Sequence, residues 1–70
     1  MPYAANKALP APVRHHLPGH AQTIYREAFN HAWEHYADDP RREEIAHRTA
    51  WAAVKKQYVK ADGDWVAREE

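Results

Sequence analysis

The 70-residue chain contains no cysteine and no serine, two glycines, a single methionine and a single phenylalanine. Without cysteine, neither a disulfide framework nor a thiolate metal site can brace the fold, and the usual staples of very small domains are missing. Without serine or cysteine, and with Thr23 and Thr49 as the only threonines, the common nucleophiles of covalent catalysis are almost absent. No pair of carboxylates is set by strand signals around a pocket, and a chain this short is expected to offer little volume for a ligand cleft, which typically needs about 300 Å³ or more. Enzymatic function and a small-molecule substrate are therefore not expected. No apolar run approaches the roughly 20 residues that span a bilayer, and the start of the chain lacks the basic-then-apolar order of a secretion signal, so the expected setting is cytoplasmic, without membrane insertion. Charge of one sign is also lacking: ten basic and ten acidic residues cancel, which leaves no global pull toward nucleic acid or anionic lipid.

What the chain does have is aromatic mass. Trp33, Trp51, Trp65, Tyr3, Tyr25, Tyr36, Tyr58 and Phe29 can each bury roughly 150 to 250 Å², which a domain hiding only about 60% of its unfolded surface needs. Residues 1–70 read as one domain. Prolines 2, 10, 12 and 18 exclude a long helix from the first twenty residues, but Ala11 to Leu17 can form about two turns because Pro12 sits in the first turn, where its missing N–H is harmless; Val13, His16 and Leu17 would share a face.

From Gly19 as N-cap, His20 to Ala37 contains no helix breaker. Ala21, Tyr25, Ala28, Phe29, Ala32, Trp33 and Tyr36 recur at spacings of three and four, an apolar stripe wide enough to face a core, while Thr23, Arg26, Glu27, Asn30 and Glu34 are expected in water. Asp38, Asp39 and Pro40 end this helix. A third helix is expected from Arg41 to about Lys60, with Glu43 and Glu44 early and Lys55, Lys56 and Lys60 late, an order that suits the helix dipole. Its apolar face is Ala46, Ala50, Trp51, Val54 and Tyr58, with Ala53 alongside, and alanines facing large rings would let two antiparallel helices approach closely. Ala61 to Asp64 make a turn with Gly63 as the left-handed residue. Trp65 and Val66 are expected to pair with Tyr3-Ala4-Ala5 as a minimal two-stranded sheet joining the termini. The fold class is thus mainly α, with one short helix and two long ones in an antiparallel hairpin.

The segments Leu9-Pro10, Leu17-Pro18, His20-Ala21-Gln22, Ile24-Tyr25, Glu27-Ala28-Phe29-Asn30, Ala32-Trp33 and Tyr36, followed by Ala46-His47, Ala50-Trp51-Ala52-Ala53-Val54-Lys55, Tyr58, Lys60 and Trp65, resemble the ChaB family over nearly the whole chain. The resemblance implies three helices plus a small sheet, and regulation of a sodium and calcium/proton antiporter by a small domain that contacts protein. It also brings an alternative, since related viral sequences are proposed to bind DNA. In the family's bacterial type example the connection between the long helices is a longer, highly charged loop with weak magnesium and calcium affinity. Here it is cut to residues 37–44, so cofactors are not expected and divalent binding by Asp38, Asp39, Glu43 and Glu44 is weak at most.

Three further candidates come from the residues themselves. Glu27, His31 and His35 lie at four-residue spacing, which a surface zinc site uses, but a half-buried border role is the stronger reading because nothing closes a tetrahedron. His47 falls within the apolar arc of the third helix and is expected to pack and hydrogen-bond, with pH sensing as the sharper alternative. Residues 41 to 60 hold six basic and two acidic residues, and Arg41, Arg48 and Lys55 recur every seven positions on one face. That stripe suits either a protein partner or duplex phosphates, and the protein partner is preferred.

Overall fold

The computed structural model describes residues 3–68. Pro2, read above as part of the proline-rich start, lies outside them. A 3₁₀ turn at Asn6–Ala8 is followed by α1 (Ala11–His16), α2 (Gly19–His35), α3 (Arg42–Gln57), β1 (Tyr58–Ala61) and β2 (Asp64–Ala67). Three α-helices and a two-stranded sheet match the expected class.

The antiparallel α2–α3 hairpin forms the body of the fold. Ala21, Tyr25, Phe29 and Ala32 of α2 pack against Ala46, Ala50 and Val54 of α3, with Leu9, Val13, Leu17 and Tyr58 completing the buried cluster. Ala46, Ala50 and Val54 are 0% exposed. Their small side chains leave room for Tyr25 and Phe29, whose rings stack at 6.0 Å. Burial of this kind contributes about 25 cal/mol per Å² of apolar surface.

The turn between the two helices is closed by contacts that periodicity does not reveal. Tyr36 caps α2 and donates its N–H to Ala32, and Asp39 Oδ1 accepts the Arg41 N–H at 2.8 Å. Arg42 lays its guanidinium 4.0 Å from the Trp33 ring centroid while its Nε donates to the Trp33 carbonyl at 2.7 Å. One side chain thus caps the end of α2 and covers its aromatic edge.

Several expectations are corrected here. The second helix stops at His35 rather than Ala37, and Tyr36, expected in the core, is 39% exposed. As the cap residue it leaves the helical stripe, and its ring meets His35 edge-on instead. Gly19 is the first residue of α2, and Pro18 takes the N-cap position. His16, expected beside Val13 and Leu17, is exposed, with its ring bonded to the Pro12 carbonyl, whereas Val13 and Leu17 are buried.

The third helix ends at Gln57, and Tyr58 to Lys60 belong to β1. The sheet does not join the termini: Tyr58 pairs with Ala67, Val59 with Val66, Lys60 with Trp65 and Ala61 with Asp64. A two-residue Asp62-Gly63 connection makes this local hairpin possible. Both residues have positive φ, 54° and 86°, as a type I′ hairpin turn requires, and glycine adopts that conformation without a steric cost.

Tyr3, expected as a strand partner of Trp65, lies on α2. Its ring is 4.9 Å from Phe29, its N–H donates to Asn30 Oδ1 at 3.3 Å, and its carbonyl accepts from Asn30 Nδ2 at 2.8 Å. Asn30 is consequently 9% exposed rather than solvated. Arg26 Nε donates to Asn6 Oδ1 and Asn6 Nδ2 to Thr23 Oγ1, so the Thr23–Arg26–Asn30 edge of α2 is a seat for the N-terminal segment. Glu27 and Glu34 are exposed as expected.

Candidate interaction surface

The solvent face of α3 is built by spacing alone. Arg41, Glu44, Arg48 and Lys55 recur at spacings of three, four and seven, so they project from the side away from Ala46, Ala50 and Val54, and Trp51 lies on the flank between them and the core, half-buried. Glu44 sits between two cations: Arg41 is 3.1 Å and Arg48 3.3 Å from its Oε2. The bond from Arg41 holds the Glu44 carboxyl below the usual carboxylate range, with Arg48 adding to it, and the same contact raises Arg41. All three side chains are largely exposed, so these pairs contribute little to stability and act mainly to orient the face. The expected stripe of Arg41, Arg48 and Lys55 is present, but Glu44 offsets part of its charge.

Behind this face runs a polar chain. Trp51 Nε1–H donates to His47 Nε2 at 3.2 Å, and His47 Nδ1 lies 2.6 Å from the Tyr25 hydroxyl. Because Nε2 accepts from the indole, the proton of neutral His47 is on Nδ1 and donates to Tyr25. His47 is exposed rather than buried in the apolar arc, although its ring meets both Tyr25 and Trp51. Tyr25 is 1% exposed, and burial, with Tyr3 alongside, pushes its hydroxyl up to about 12.

The acidic turn does not gather its carboxylates. Asp39 is engaged by the Arg41 amide and Glu44 by Arg41 and Arg48, while Asp38 and Glu43 are exposed. Glu27, His31 and His35 are likewise exposed, and His31 and His35 stack with ring centroids 6.3 Å apart. Among the described residues no three His, Asp or Glu side chains converge as a metal site.

Contrary to the expectation of little cleft volume, an open cleft of about 600 Å³ lies between Tyr3, Pro10, Pro40, Glu43 and His47. Tyr25 and Phe29 at its base are only 1% and 3% exposed, so little of their surface is available to a ligand. No helix among the described residues is long and apolar enough to cross a membrane.

Of the residues expected to form the core, Tyr25, Phe29, Val54 and Tyr58 are buried, and Trp33, Trp51 and Trp65 are half-buried against them. Trp51 and Trp65 meet at 5.6 Å, which brings the sheet against the outer edge of α3. Sequence reasoning treated both as core and missed their exposed surfaces. The turn expected at Ala61 to Asp64 joins two paired strands rather than ending a helix, and so carries Trp65 back toward α3.

Comparison with known proteins agrees with this architecture. A protein of Escherichia coli K12 named "Putative cation transport regulator ChaB" is 54% identical over an alignment of 70 residues that covers 91% of this chain and 92% of that protein. The protein of the same name from Shigella flexneri matches to the same extent. An NMR solution structure bearing that name superimposes with a TM-score of 0.85 at 49% identity, covering 97% of this chain and all of the other. The ChaB family's sequence model matches residues 9–68, and with that match, the identity and the shared fold, the chain belongs to the ChaB family.

Proposed function

We propose that this chain is a non-enzymatic regulatory domain that works in the cytoplasm by contacting a cation (sodium, calcium)/proton antiporter. The observation that carries this reading is the 54% identity, over nearly the full length of both chains, to relatives whose name assigns them to the regulation of cation transport. The physical character of the molecule suits such a role. Its catalytic repertoire is poor, its helix hairpin is a packed scaffold, and the exposed face of α3 presents Arg41, Arg48 and Lys55 beside aromatic surface. A regulator of a membrane transporter does not have to enter the bilayer; it needs a surface that recognises cytoplasmic loops, with complementary charge setting orientation and encounter rate. The reading of this stripe as a phosphate-binding one is less favoured, because Glu44 sits within it and a phosphate backbone would be repelled there.

The test is direct. Sodium/proton and calcium/proton exchange are measured in everted vesicles that contain the antiporter, with and without the purified chain. A change in exchange rate that saturates with added chain is expected, and unchanged exchange at every concentration rejects the reading.

A further inference from the structure

Trp51 is a large, half-buried indole at the margin of the core, and it is held there from three directions. Its N–H is bonded to His47, its ring meets Tyr25 edge-on at 5.4 Å, and Trp65 leans on it at 5.6 Å with the planes 35° apart. Trp65 stands opposite Lys60 in the sheet, and directly paired residues project from the same side, so Lys60 flanks the indole pair. Arg48 and Lys55 stand one turn before and one turn after Trp51 on α3. A shallow groove of about 460 Å³ runs along Glu44, His47, Arg48, Trp51, Ala52 and Lys55. Its one carboxylate, Glu44, is already shared by Arg41 and Arg48, and among the described residues no carboxylate forms an ion pair with Lys55 or Lys60.

We propose that this face, Trp51 and Trp65 framed by Arg48, Lys55 and Lys60, docks an acidic peptide segment of a partner protein. An apolar or aromatic side chain of the segment lies on the two indoles, and neighbouring Asp or Glu residues reach Lys55 and Lys60, while Arg48 stays shared with Glu44 and keeps that carboxylate from facing the segment alone. This deepens the regulatory reading, on which it rests for the existence of a protein partner. Indoles already immobilised by their own contacts lose little freedom on binding, and Trp and Arg are the residue types that dominate interface energetics.

The charge pattern of the face favours a peptide over an anionic bilayer. Glu44 lies on the same face, and a peptide can set its carboxylates at Lys55 and Lys60 away from it, whereas a uniformly anionic surface cannot.

The experiment uses the whole chain labelled with ¹⁵N and follows its three indole N–H resonances. The probes are short peptides alternating glutamate with phenylalanine, the same peptides with lysine for glutamate, vesicles of phosphatidylcholine with phosphatidylglycerol, and a short DNA duplex. The acidic peptides are expected to shift the Trp51 and Trp65 resonances while leaving Trp33 in place, with affinity that weakens several-fold as salt is raised. Lys55→Glu, an exposed substitution that preserves the fold, is expected to weaken binding about tenfold, the equivalent of about 1.4 kcal/mol. Equal binding of the lysine peptides, unchanged affinity in Lys55→Glu, or shifts produced only by vesicles or only by duplex would each overturn the proposal. If antiport responds to the chain but the acidic peptides do not bind, the docking proposal fails and the regulatory reading stands; peptide binding without any effect on antiport has the reverse meaning.

Discussion

At one end of the molecule, Tyr3 to Ala8 lie along α2 through polar contacts that bridge large sequence separations, 27 residues between Tyr3 and Asn30 and 20 between Asn6 and Arg26. At the other end, Tyr58 to Ala67 fold back on themselves through a two-residue turn and reach the helices mainly through Trp65 on Trp51, Tyr58 in the core, and Arg68 bonded to the Gln57 and Lys55 carbonyls. The first attachment is nonlocal and polar, and the second is local and largely aromatic. The two ends should therefore fail for different reasons: the N-terminal segment when a single amide is removed, and the hairpin when a backbone conformation is denied.

The largest effect is expected from Asn30→Ala. It deletes both bonds to Tyr3 and leaves a partly covered N–H and C=O without partners, at a cost of about 2 kcal/mol. Urea unfolding should register the loss, and hydrogen exchange should accelerate at the Tyr3 amide while the amides of β1 and β2 stay protected. Equal acceleration at both ends would show that they are coupled rather than independent. Gly63→Ala is the converse test. It places a Cβ at φ 86°, where an L side chain is strained, and should cost about 1 kcal/mol. Cross-strand NMR contacts between Lys60 and Trp65 should weaken, and those between Tyr3 and Phe29 should persist.

A third effect is confined to alkaline pH. The buried Tyr25 hydroxyl, ordinarily near 10, is pushed up to about 12, so the folded protein keeps a proton that the unfolded chain releases. Its contribution to stability is complete below pH 10 and is lost as pH rises toward 12. Tyr25→Phe should flatten that alkaline decline in thermal melts. Because Tyr3 covers the same part of the core, the decline in the wild-type chain should be accompanied by faster exchange at Tyr3 before the β-hairpin is affected.

The smallest effect is expected at Glu44. Its carboxyl is lowered mainly by the bond from Arg41, so its stabilising contribution is present above pH 4.5 and lost as the pH falls through its depressed value. Exposure keeps this contribution slight. Glu44→Gln should leave the melting temperature almost unchanged at neutral pH and act on neither end of the chain. A marked destabilisation would mean that the α3 face, rather than the two attachments, governs stability.

How much could be read from the residues differs in the same way between regions. The α2–α3 hairpin was legible because Tyr25, Phe29 and Ala32, and Ala46, Ala50 and Val54, repeat at helical spacing, and a repeat of that kind records burial directly. The Thr23–Arg26–Asn30 edge was misread as solvated, because polarity does not distinguish a side chain bonded to water from one bonded to backbone 27 residues away. Tyr58 and Lys60 were assigned to α3 because the apolar spacing continues through Tyr58. The Asp62-Gly63 pair carries the opposite signal, because a two-residue turn of this kind joins paired strands. At the candidate surface, the basic stripe was legible from its seven-residue spacing. The seating of Trp65 against Trp51, which sets a second indole beside that stripe, was not.

By itself, then, the order of residues determined the helical class, the pairing of large rings with small alanines, and the family. Each of these follows from local spacing or side-chain volume, which do not depend on where distant parts of the chain end up. Only tertiary structure decided where Tyr3 rests, which strands pair, and which face of Trp51 meets solvent. Those outcomes depend on contacts between residues far apart in sequence, whose free energies are comparable with those of the alternatives and become definite only once the hairpin presents a surface to dock on.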